Sequence, residues 1–600
     1  MSSPVRPDAS AAGDDLRPVP RTPVTRRSVP PAVAPVVAVV AGLVACVVAA
    51  SSTGAMDSLV FVEDAGPLVR WSVPLVRVVH DVAAAVTVAS LAFAACLVPA
   101  PARSGPRIRA TAPTAPLRLA VGAGFLWLVT ALAGAVLTFA DAAGLPLSSP
   151  ALVQQLQALV WQIDATRIGL ISGACAFVVA TGAALARSRT AAAWLGALAA
   201  AGIGVLGLAS HTGASDDHET SVNAMGLHLV GATTWVGGLI VRVVLHRWLG
   251  ERLGVTARRY STLALAAFVA VGLSGVLAAT TRLASWSDLG TPYGLLIVVK
   301  SLAFVALGAA GWWHRRSTLD SLDAGVVAAR VASARALVES HRDGSRAEPL
   351  EDSRAGRRRA QAVVGWSRLR TTSWVLGCLL LVWTTSGPLG TYGRVSFAWH
   401  TALLLVLALV VPLPLVAGSP VRLAERALAS RDDGTLGPRE VVVGLARSGV
   451  VGALTRPVVA TVLLVAGLVV LHASGLLDLA FTTHPGHLVM VASALAVGVL
   501  WATAMTAAPD SPARGSLRTV LLCLGALVVG AFAAAAWVAR SSTVLAAEPL
   551  GGLDLPWLPD LAADQVRAGA VILFVVVPVC VLLAVVAAAR TPRGPRARGR

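Results

Sequence analysis

The sequence predicts an all-α, polytopic membrane protein of about 14 transmembrane helices in two bundles, eight helices and then six, with both termini in the cytoplasm. Apolar residues make up 56% of the chain and charged residues 13%, and the mean hydropathy is +0.74. In soluble domains about a quarter of the residues are charged. Apolar stretches of about 20 residues, long enough to cross a hydrocarbon core, recur from Ala32 to Ala589, and arginines lie between them. The bilayer is therefore the expected surroundings of most of the chain.

The predicted spans follow the apolar stretches in chain order. They are 32–52, 77–98, 118–140, 168–187, 190–210, 223–245, 260–281, 292–312, 372–390, 396–417, 457–474, 485–507, 517–539 and 568–589.

The placement of arginine supports this order of spans. With both termini inside, the arginines on the outer side are Arg70, Arg77, Arg167, Arg282, Arg394, Arg540 and Arg567. All other arginines fall on the cytoplasmic side, as the positive-inside rule requires. The net charge of +18 therefore indicates membrane topology, and no nucleic-acid partner is predicted.

The composition divides the chain into five parts. They are a disordered cytoplasmic tail (1–31), a membrane domain of eight helices (32–314), a basic cytoplasmic linker (315–370), a membrane domain of six helices (371–590) and a basic tail (591–600). The linker's basic face either lies against anionic lipid headgroups or is a solvated charged surface.

The 11 histidines are distributed unevenly between the two sides. His246, His314 and His341 fall on the cytoplasmic side. The other histidines fall at or near the outer surface: His80, His211, His218, His228, His400, His472, His484 and His487. Ionisable residues inside a bilayer are costly and suggest a function, so we predict a shared role in metal handling. The alternative is that they are ordinary interfacial residues.

The strongest local pattern is NAMGLHLVGATTWVGGL at 223–239. Met225 and His228 are one helical turn apart, and a thioether next to an imidazole suits copper, because soft sulfur favours Cu(I). The preceding loop contains His211 and His218 among carboxylates. It either captures a divalent ion or is a solvated acidic loop. His80 opens the second span from the outside.

The segments HLVGATTWVGGL, RYSTLALAAFVAVGLSGVL and TPYGLLIVVK resemble the copper-resistance D (CopD) family of membrane proteins, over roughly residues 70–315. This resemblance implies copper uptake across, or copper handling at, the cytoplasmic membrane. It also implies that His80 and His228 are candidate ligands.

The second half, residues 371–590, resembles the CtaG-type cytochrome c oxidase assembly factors in the pieces FAWH, PLPLVAGSPVRLAERAL, HPGHLVM and ADQVRAG. The resemblance implies copper supply to the oxidase, and the candidate ligands in this half are His400, His472, His487 and Met490. Leu404, Ser493 and Gly530 stand where the family has histidines. We therefore expect copper binding to depend mainly on the first half. A fusion of the two families is an arrangement of high-GC Gram-positive bacteria.

No nucleophile–base constellation or phosphate-binding loop occurs in the sequence, so an enzyme is not predicted. The predicted protein is a multi-pass protein of the cytoplasmic membrane that takes copper at the outer face, for import or for delivery to an oxidase under assembly. The expected partners are the lipid bilayer, the copper ion, and cytochrome c oxidase subunits or a periplasmic copper chaperone. Two alternatives remain: a metal-free membrane scaffold for oxidase assembly, and a b-type haem membrane redox protein, since bis-imidazole ligation needs only facing histidines.

Overall fold

This computed structural model describes residues 33–53, 56, 64–101, 108, 110–159, 161–209, 218–280, 283, 285–319, 366–473, 476–507, 515–553, 555–558 and 560–589. The predicted tails, 1–31 and 591–600, and most of the predicted linker, 315–370, lie outside the described residues.

The first half consists of helices. In chain order they are α1 (Val33–Thr53), α2 (Pro67–Ala92, continued by a π-helical turn at Phe93–Leu97), α3 (Thr114–Ala142), α4 (Pro150–Leu159), α5 (Asp164–Leu185), α6 (Arg189–Gly204), α7 (His218–Val244), α8 (His246–Leu249), α9 (Leu253–Thr280) and α10 (Pro292–His314).

The second half has longer helices joined by several short ones. They are α11 (Arg368–Ser386), α12 (Pro388–Tyr392), α13 (Phe397–Leu405, continued by a π-helical turn at Val406–Val410), α14 (Pro412–Ala417), α15 (Pro420–Ala427), α16 (Pro438–Ala446), α17 (Gly449–Leu454), α18 (Pro457–Ala473), α19 (Leu476–Thr482), α20 (His484–Thr506), α21 (Leu517–Arg540), α22 (Ala547–Gly551) and α23 (Leu561–Ala589).

The predicted all-α membrane fold is confirmed. Within the described part of the chain, 12 helices are long and apolar enough to cross a membrane, and 13 if the bent pair Pro438–Leu454 and Pro457–Val470, which turns by 79°, is one span. The apolar part of α1, Val36–Ser51, is shorter. The count of about 14 and the cytoplasmic position of both termini stay predictions.

Helix α2 lies at the centre of the first half and packs against α1, α3, α6 and α7. Its contact with α7 depends on a glycine. A Cβ atom at Gly237 would lie 2.1 Å from the carbonyl oxygen of Ala85, so only glycine permits this approach of the two backbones. Close packing through small residues is the usual way in which membrane helices associate.

A loop of the second half, residues 428–437, contacts the end of α2 in the first half; we call it the junction loop. The π-helical turn at the end of α2 presents carbonyl groups that lack partners within the helix. Arg431 donates to the Cys96 carbonyl at 2.7 Å, and the Leu436 amide donates to the Ala95 carbonyl at 3.1 Å. The two halves are therefore joined at the arginine-rich end of the bundle.

An ion pair strengthens the junction loop. The Arg259 guanidinium, in α9, donates to the Asp433 carboxylate at 2.5 Å. Burial raises the pKa of Asp433. Hydrogen bonds from Thr435 and Arg259, together with the charge of Arg259, lower it by more than burial raises it, so the pKa lies below its ordinary value. The carboxylate is thus held in its charged form.

Candidate metal centre

Two histidines of the second half lie next to each other at one end of its bundle. His400 is in α13 and His487 is in the first turn of α20, and their ring centroids are 6.5 Å apart. Both side chains are buried. Two nitrogens that share one metal ion, each about 2 Å from it, are separated by at most about 4 Å. Rings at the observed spacing are within reach of that arrangement.

A backbone carbonyl fixes the tautomer of His400. The Nδ1 atom lies 2.8 Å from the Gly393 carbonyl oxygen. Because a carbonyl only accepts, Nδ1 carries the proton and Nε2 presents its lone pair, which is the form of histidine that binds metals. The Nε2 atom is buried, and the ring packs against Phe481 with centroids 4.4 Å apart.

A buried carboxylate holds the start of the helix that carries His400. Asp564, in α23, is 2% exposed and accepts from the Ser396 hydroxyl at 3.0 Å, from the Phe397 amide at 2.7 Å and from the Ala398 amide at 3.3 Å. The first amides of a helix have no partner within the helix, and a negative group there is favourable. Asp564 therefore positions His400, which lies one turn further along α13.

The adjacent Gln565 connects the same helix to its neighbours. Its side-chain oxygen accepts from the Leu545 amide at 2.7 Å, and its amide group donates to the Val538 carbonyl at 2.9 Å. Asp564 and Gln565 thus join α23 to α13 and α21.

Met490 adds a thioether to this end of the bundle. It lies one turn after His487 on α20 and is 1% exposed. Side chains three positions apart on a helix are neighbours. An imidazole pair and a buried thioether form a soft donor set, which fits Cu(I).

Leu404, Ser493 and Gly530 occupy the three positions at which the family resemblance predicts histidines, and each has a different environment. Leu404 is fully buried in the apolar core, and the Ser493 hydroxyl donates to the Met490 carbonyl at 2.9 Å. Gly530 lines an apolar cavity of about 400 Å³, and a Cβ there would meet no atom within 4 Å. Space for a side chain therefore remains at Gly530 only.

His228 presents a second lone pair, in the first half. Its Nδ1 atom lies 3.1 Å from the Ser274 hydroxyl oxygen, and that hydroxyl donates to the Val271 carbonyl at 2.9 Å. Since the hydroxyl proton is engaged, Ser274 accepts from Nδ1 and the lone pair is on Nε2. Met225, one turn earlier on α7, is 37% exposed.

His80 has protein partners on both ring nitrogens. Nδ1 lies 2.8 Å from the Asp81 carboxylate, and Nε2 accepts from the Trp127 indole at 3.0 Å. The indole also points to the Ser172 hydroxyl at 3.1 Å. In this arrangement His80 has no lone pair available for a metal, and it bonds to α3, whereas His228 bonds to α9.

Other predicted ligands are described only in part. His211 lies outside the described residues, and for His218 and His472 the structure describes the helix backbone but no side-chain surroundings. Among the side chains that are described, no group of three or more His, Cys, Asp or Glu could hold a metal ion. The assignment of ligands therefore stays a prediction, and a thioether is needed to complete the His400–His487 pair.

The sequence did not single out the residues that orient these rings. Trp127 and Ser274 form hydrogen bonds with His80 and His228 from helices that are distant in sequence. Gly393 contacts the ring of His400 through its backbone carbonyl. The only sequence signal was a polar group inside an apolar span, which in a membrane requires a partner.

The fold and these side chains define a class: polytopic membrane proteins with buried imidazole and thioether groups at one end of a helical bundle. Residues 353–593 match the family model described as cytochrome c oxidase caa3 assembly factor (Caa3_CtaG), and residues 254–342 match the one described as copper resistance protein D (CopD). Both matches in one chain confirm the predicted combination of a CopD-like and a CtaG-like part. The CopD match begins after His80 and His228.

Curated relatives share part of the chain. An uncharacterized protein of Mycobacterium leprae (strain TN) is 34% identical over 208 residues, which are 34% of this chain and 31% of the relative. An uncharacterized protein of Mycobacterium bovis (strain ATCC BAA-935 / AF2122/97) is 33% identical over the same shares. The chain thus covers about a third of the length of these relatives. No solved structure matches.

Proposed function

We propose that this protein handles copper at the outer face of the cytoplasmic membrane, without catalysing a reaction. The observation that carries the proposal is the buried pair His400 and His487, with ring centroids 6.5 Å apart, followed one turn later by Met490. The family descriptions support it, because they name copper resistance and oxidase assembly.

The copper ion is the cargo in this proposal. His400 would offer Nε2, since its Nδ1 proton is engaged by Gly393, and His487 would offer the second nitrogen. Met490 would offer sulfur, which favours Cu(I) over harder ions. Both helices begin at the end of the bundle that the arginine pattern assigns to the outside. Copper would enter there for import or for delivery to cytochrome c oxidase subunits, and a periplasmic copper chaperone would supply it.

One observation favours a second candidate, a metal-free scaffold for oxidase assembly. Both ring nitrogens of His80 already have protein partners, so this histidine contributes to packing in the first half. A scaffold needs buried polar groups only to fix how helices pack. The two candidates differ in whether the second half binds copper.

A haem optical spectrum of the purified protein tests the b-type haem alternative. Two imidazoles on facing helices are sufficient as axial ligands, and the His400–His487 spacing permits this. We expect no haem absorption bands from the chain as purified, because copper is the proposed occupant of the pair.

The direct test is equilibrium Cu(I) binding by the purified full-length chain in competition with a chromophoric chelator. We expect one tightly bound Cu(I), with affinity lowered at least about tenfold in His487→Ala, since one ligand of three is lost. His246→Ala is the matched control, because His246 lies on α8 and its Nδ1 contacts the Val243 carbonyl. Equal binding by wild type and His487→Ala would reject copper binding by the pair.

A further inference from the structure

A cleft between α1, α2 and α3 opens on the surface of the first half; we call it the α1–α3 cleft. Its volume is about 450 Å³, within the range of about 300–1,000 Å³ that is typical of ligand sites. The walls are apolar and include Val36 and Val40 of α1, Val82 of α2 and Leu126 of α3. Among the residues that the structure describes, Arg118 is the one charged side chain in the lining.

Arg118 stands at one end of this cleft, in the second turn of α3. It is exposed and takes part in none of the ion pairs found among the described residues. Ala112, just before α3, bonds to the Arg187 carbonyl at 2.8 Å, so this is the arginine-rich end of the bundle. A guanidinium at this end of the cleft is suited to a phosphate, which it can bind through two parallel hydrogen bonds.

The length of the cleft matches one leaflet of a bilayer. Arg118 and Leu126 are eight residues apart on one helix, which corresponds to about 12 Å at 1.5 Å per residue. Half of a hydrocarbon core is about 15 Å thick. An apolar cleft of this length, with one cation at the headgroup end, complements a molecule that has one anionic end and one hydrocarbon chain.

We propose that the α1–α3 cleft binds an anionic glycerophospholipid, with its phosphate on Arg118 and one acyl chain along the valines of α1 and α2. Gly122 keeps the middle of the cleft open. It lines the cleft, and a Cβ at this position would meet no protein atom within 4 Å. A larger side chain there fills the space of the acyl chain without a clash with the protein.

The test uses the full-length chain, purified from its membrane in a non-ionic detergent, with retained phospholipid identified and counted by native mass spectrometry. Wild type is expected to retain about one anionic phospholipid per chain, and Gly122→Leu to lose it. Gly134→Leu is the matched control, because Gly134 is on the same helix, has equal space around its Cβ, and does not line the cleft. Retention by Gly122→Leu at the wild-type level would overturn the proposal. The finding that residues 1–32 of the chain fill the cleft would also overturn it.

A second pair of variants tests the role of charge. Arg118→Gln should weaken retention of phosphatidylglycerol about fivefold, the effect of one basic residue near an anionic surface, and should not change retention of phosphatidylcholine. Arg187→Gln, an exposed arginine at the same end and outside the cleft, should change neither. Equal retention of the two lipids by wild type would overturn the assignment of Arg118. This pair leaves the packing of α3 intact, so it also decides the matter if Gly122→Leu does not fold.

Discussion

The rings of His400 and His487 lie with centroids 6.5 Å apart and planes inclined by 58°, and they belong to two helices, α13 and α20, that are separate in sequence. This pair is in the half of the chain where Leu404 and Ser493 replace histidines of the family pattern. The first half was expected to dominate copper binding, but His80 there is engaged by Asp81 and Trp127. We therefore place the proposed copper site in the second half.

Replacement of Asp564 by Asn should weaken both the fold and the metal centre. Asp564 accepts from a hydroxyl and two amides at the start of α13. Asn keeps the shape but loses the charge and one acceptor, so we expect a loss of about 1–3 kcal/mol in the free energy of unfolding and weaker Cu(I) binding. Thermal unfolding in detergent and chelator competition measure the two effects.

Asp560→Asn is the control for this substitution. Asp560 is exposed and accepts from the Ala562 and Ala563 amides at the start of α23, so its loss should cost less than about 1 kcal/mol and leave Cu(I) affinity unchanged. Similar effects of the two substitutions would show that Asp564 does not position His400.

Gly237→Ala should destabilise the first half. The added methyl group would lie 2.1 Å from the Ala85 carbonyl oxygen, so α2 and α7 must separate, at a cost of about 1–3 kcal/mol. Gly275→Ala is the comparison, because a Cβ there meets no atom within 4 Å and Ala is the better helix former. An unfolding midpoint of Gly237→Ala at or above that of Gly275→Ala would contradict the observed packing.

Much of the fold could be predicted from the sequence, because long apolar runs and arginine placement are one-dimensional signals. The boundaries were less predictable. Helix α2 begins at Pro67, ten residues before the predicted start at 77. Proline is tolerated in the first turn of a helix, where Pro67 lies, but Pro74 lies inside α2. The segment 419–456 was expected to be a loop, but it contains α15, α16 and α17. Helices this short do not cross a bilayer singly, so a search for apolar stretches of about 20 residues does not find them.

The candidate site was harder to predict from the sequence than the fold was. Residue type and depth identified His400, His487 and Met490 as candidates, and the structure brings the two histidines together. The sequence could not show that Trp127 occupies Nε2 of His80, because that bond joins positions far apart in the chain. The weight placed on the first half came from Leu404, Ser493 and Gly530, which stand at histidine positions of the family pattern in the second half. Such a comparison does not show which lone pairs are available.

The ion pair between Arg259 and Asp433 should give stability a defined pH dependence. Because the folded-state pKa of Asp433 is lowered, its contribution is present above the unfolded-state pKa and is lost as the pH falls through the folded-state pKa. We expect wild type to exceed Asp433→Asn in stability by about 1–2 kcal/mol above pH ~5, with the difference declining below pH ~4. Thermal unfolding of both proteins from pH ~6 down to pH ~3 measures this.

A double-mutant cycle with Arg259→Gln provides the control for this pair. The two single substitutions should not be additive, since each removes the same ion pair. Additive losses, or a difference between wild type and Asp433→Asn that grows as the pH falls, would contradict the assignment.

Cysteine labelling should place the two ends of the bundle on opposite sides of the membrane. Ser430 is in the junction loop at the arginine-rich end, and Leu553 follows α22; both are exposed. In a chain without its native cysteines, Leu553→Cys should react with an impermeant maleimide added to intact cells, and Ser430→Cys should react only after permeabilisation. The reverse pattern would invert the topology and place His400 in the cytoplasm.

The central claim, that the second half holds copper through His400, His487 and Met490, is tested most directly by X-ray absorption of the Cu(I)-loaded full-length chain. We predict nitrogen neighbours at about 2 Å and one sulfur at about 2.3 Å, with the sulfur lost in Met490→Leu and retained in Met225→Leu. If the sulfur disappears in Met225→Leu and stays in Met490→Leu, copper is bound by the first half and the account is wrong.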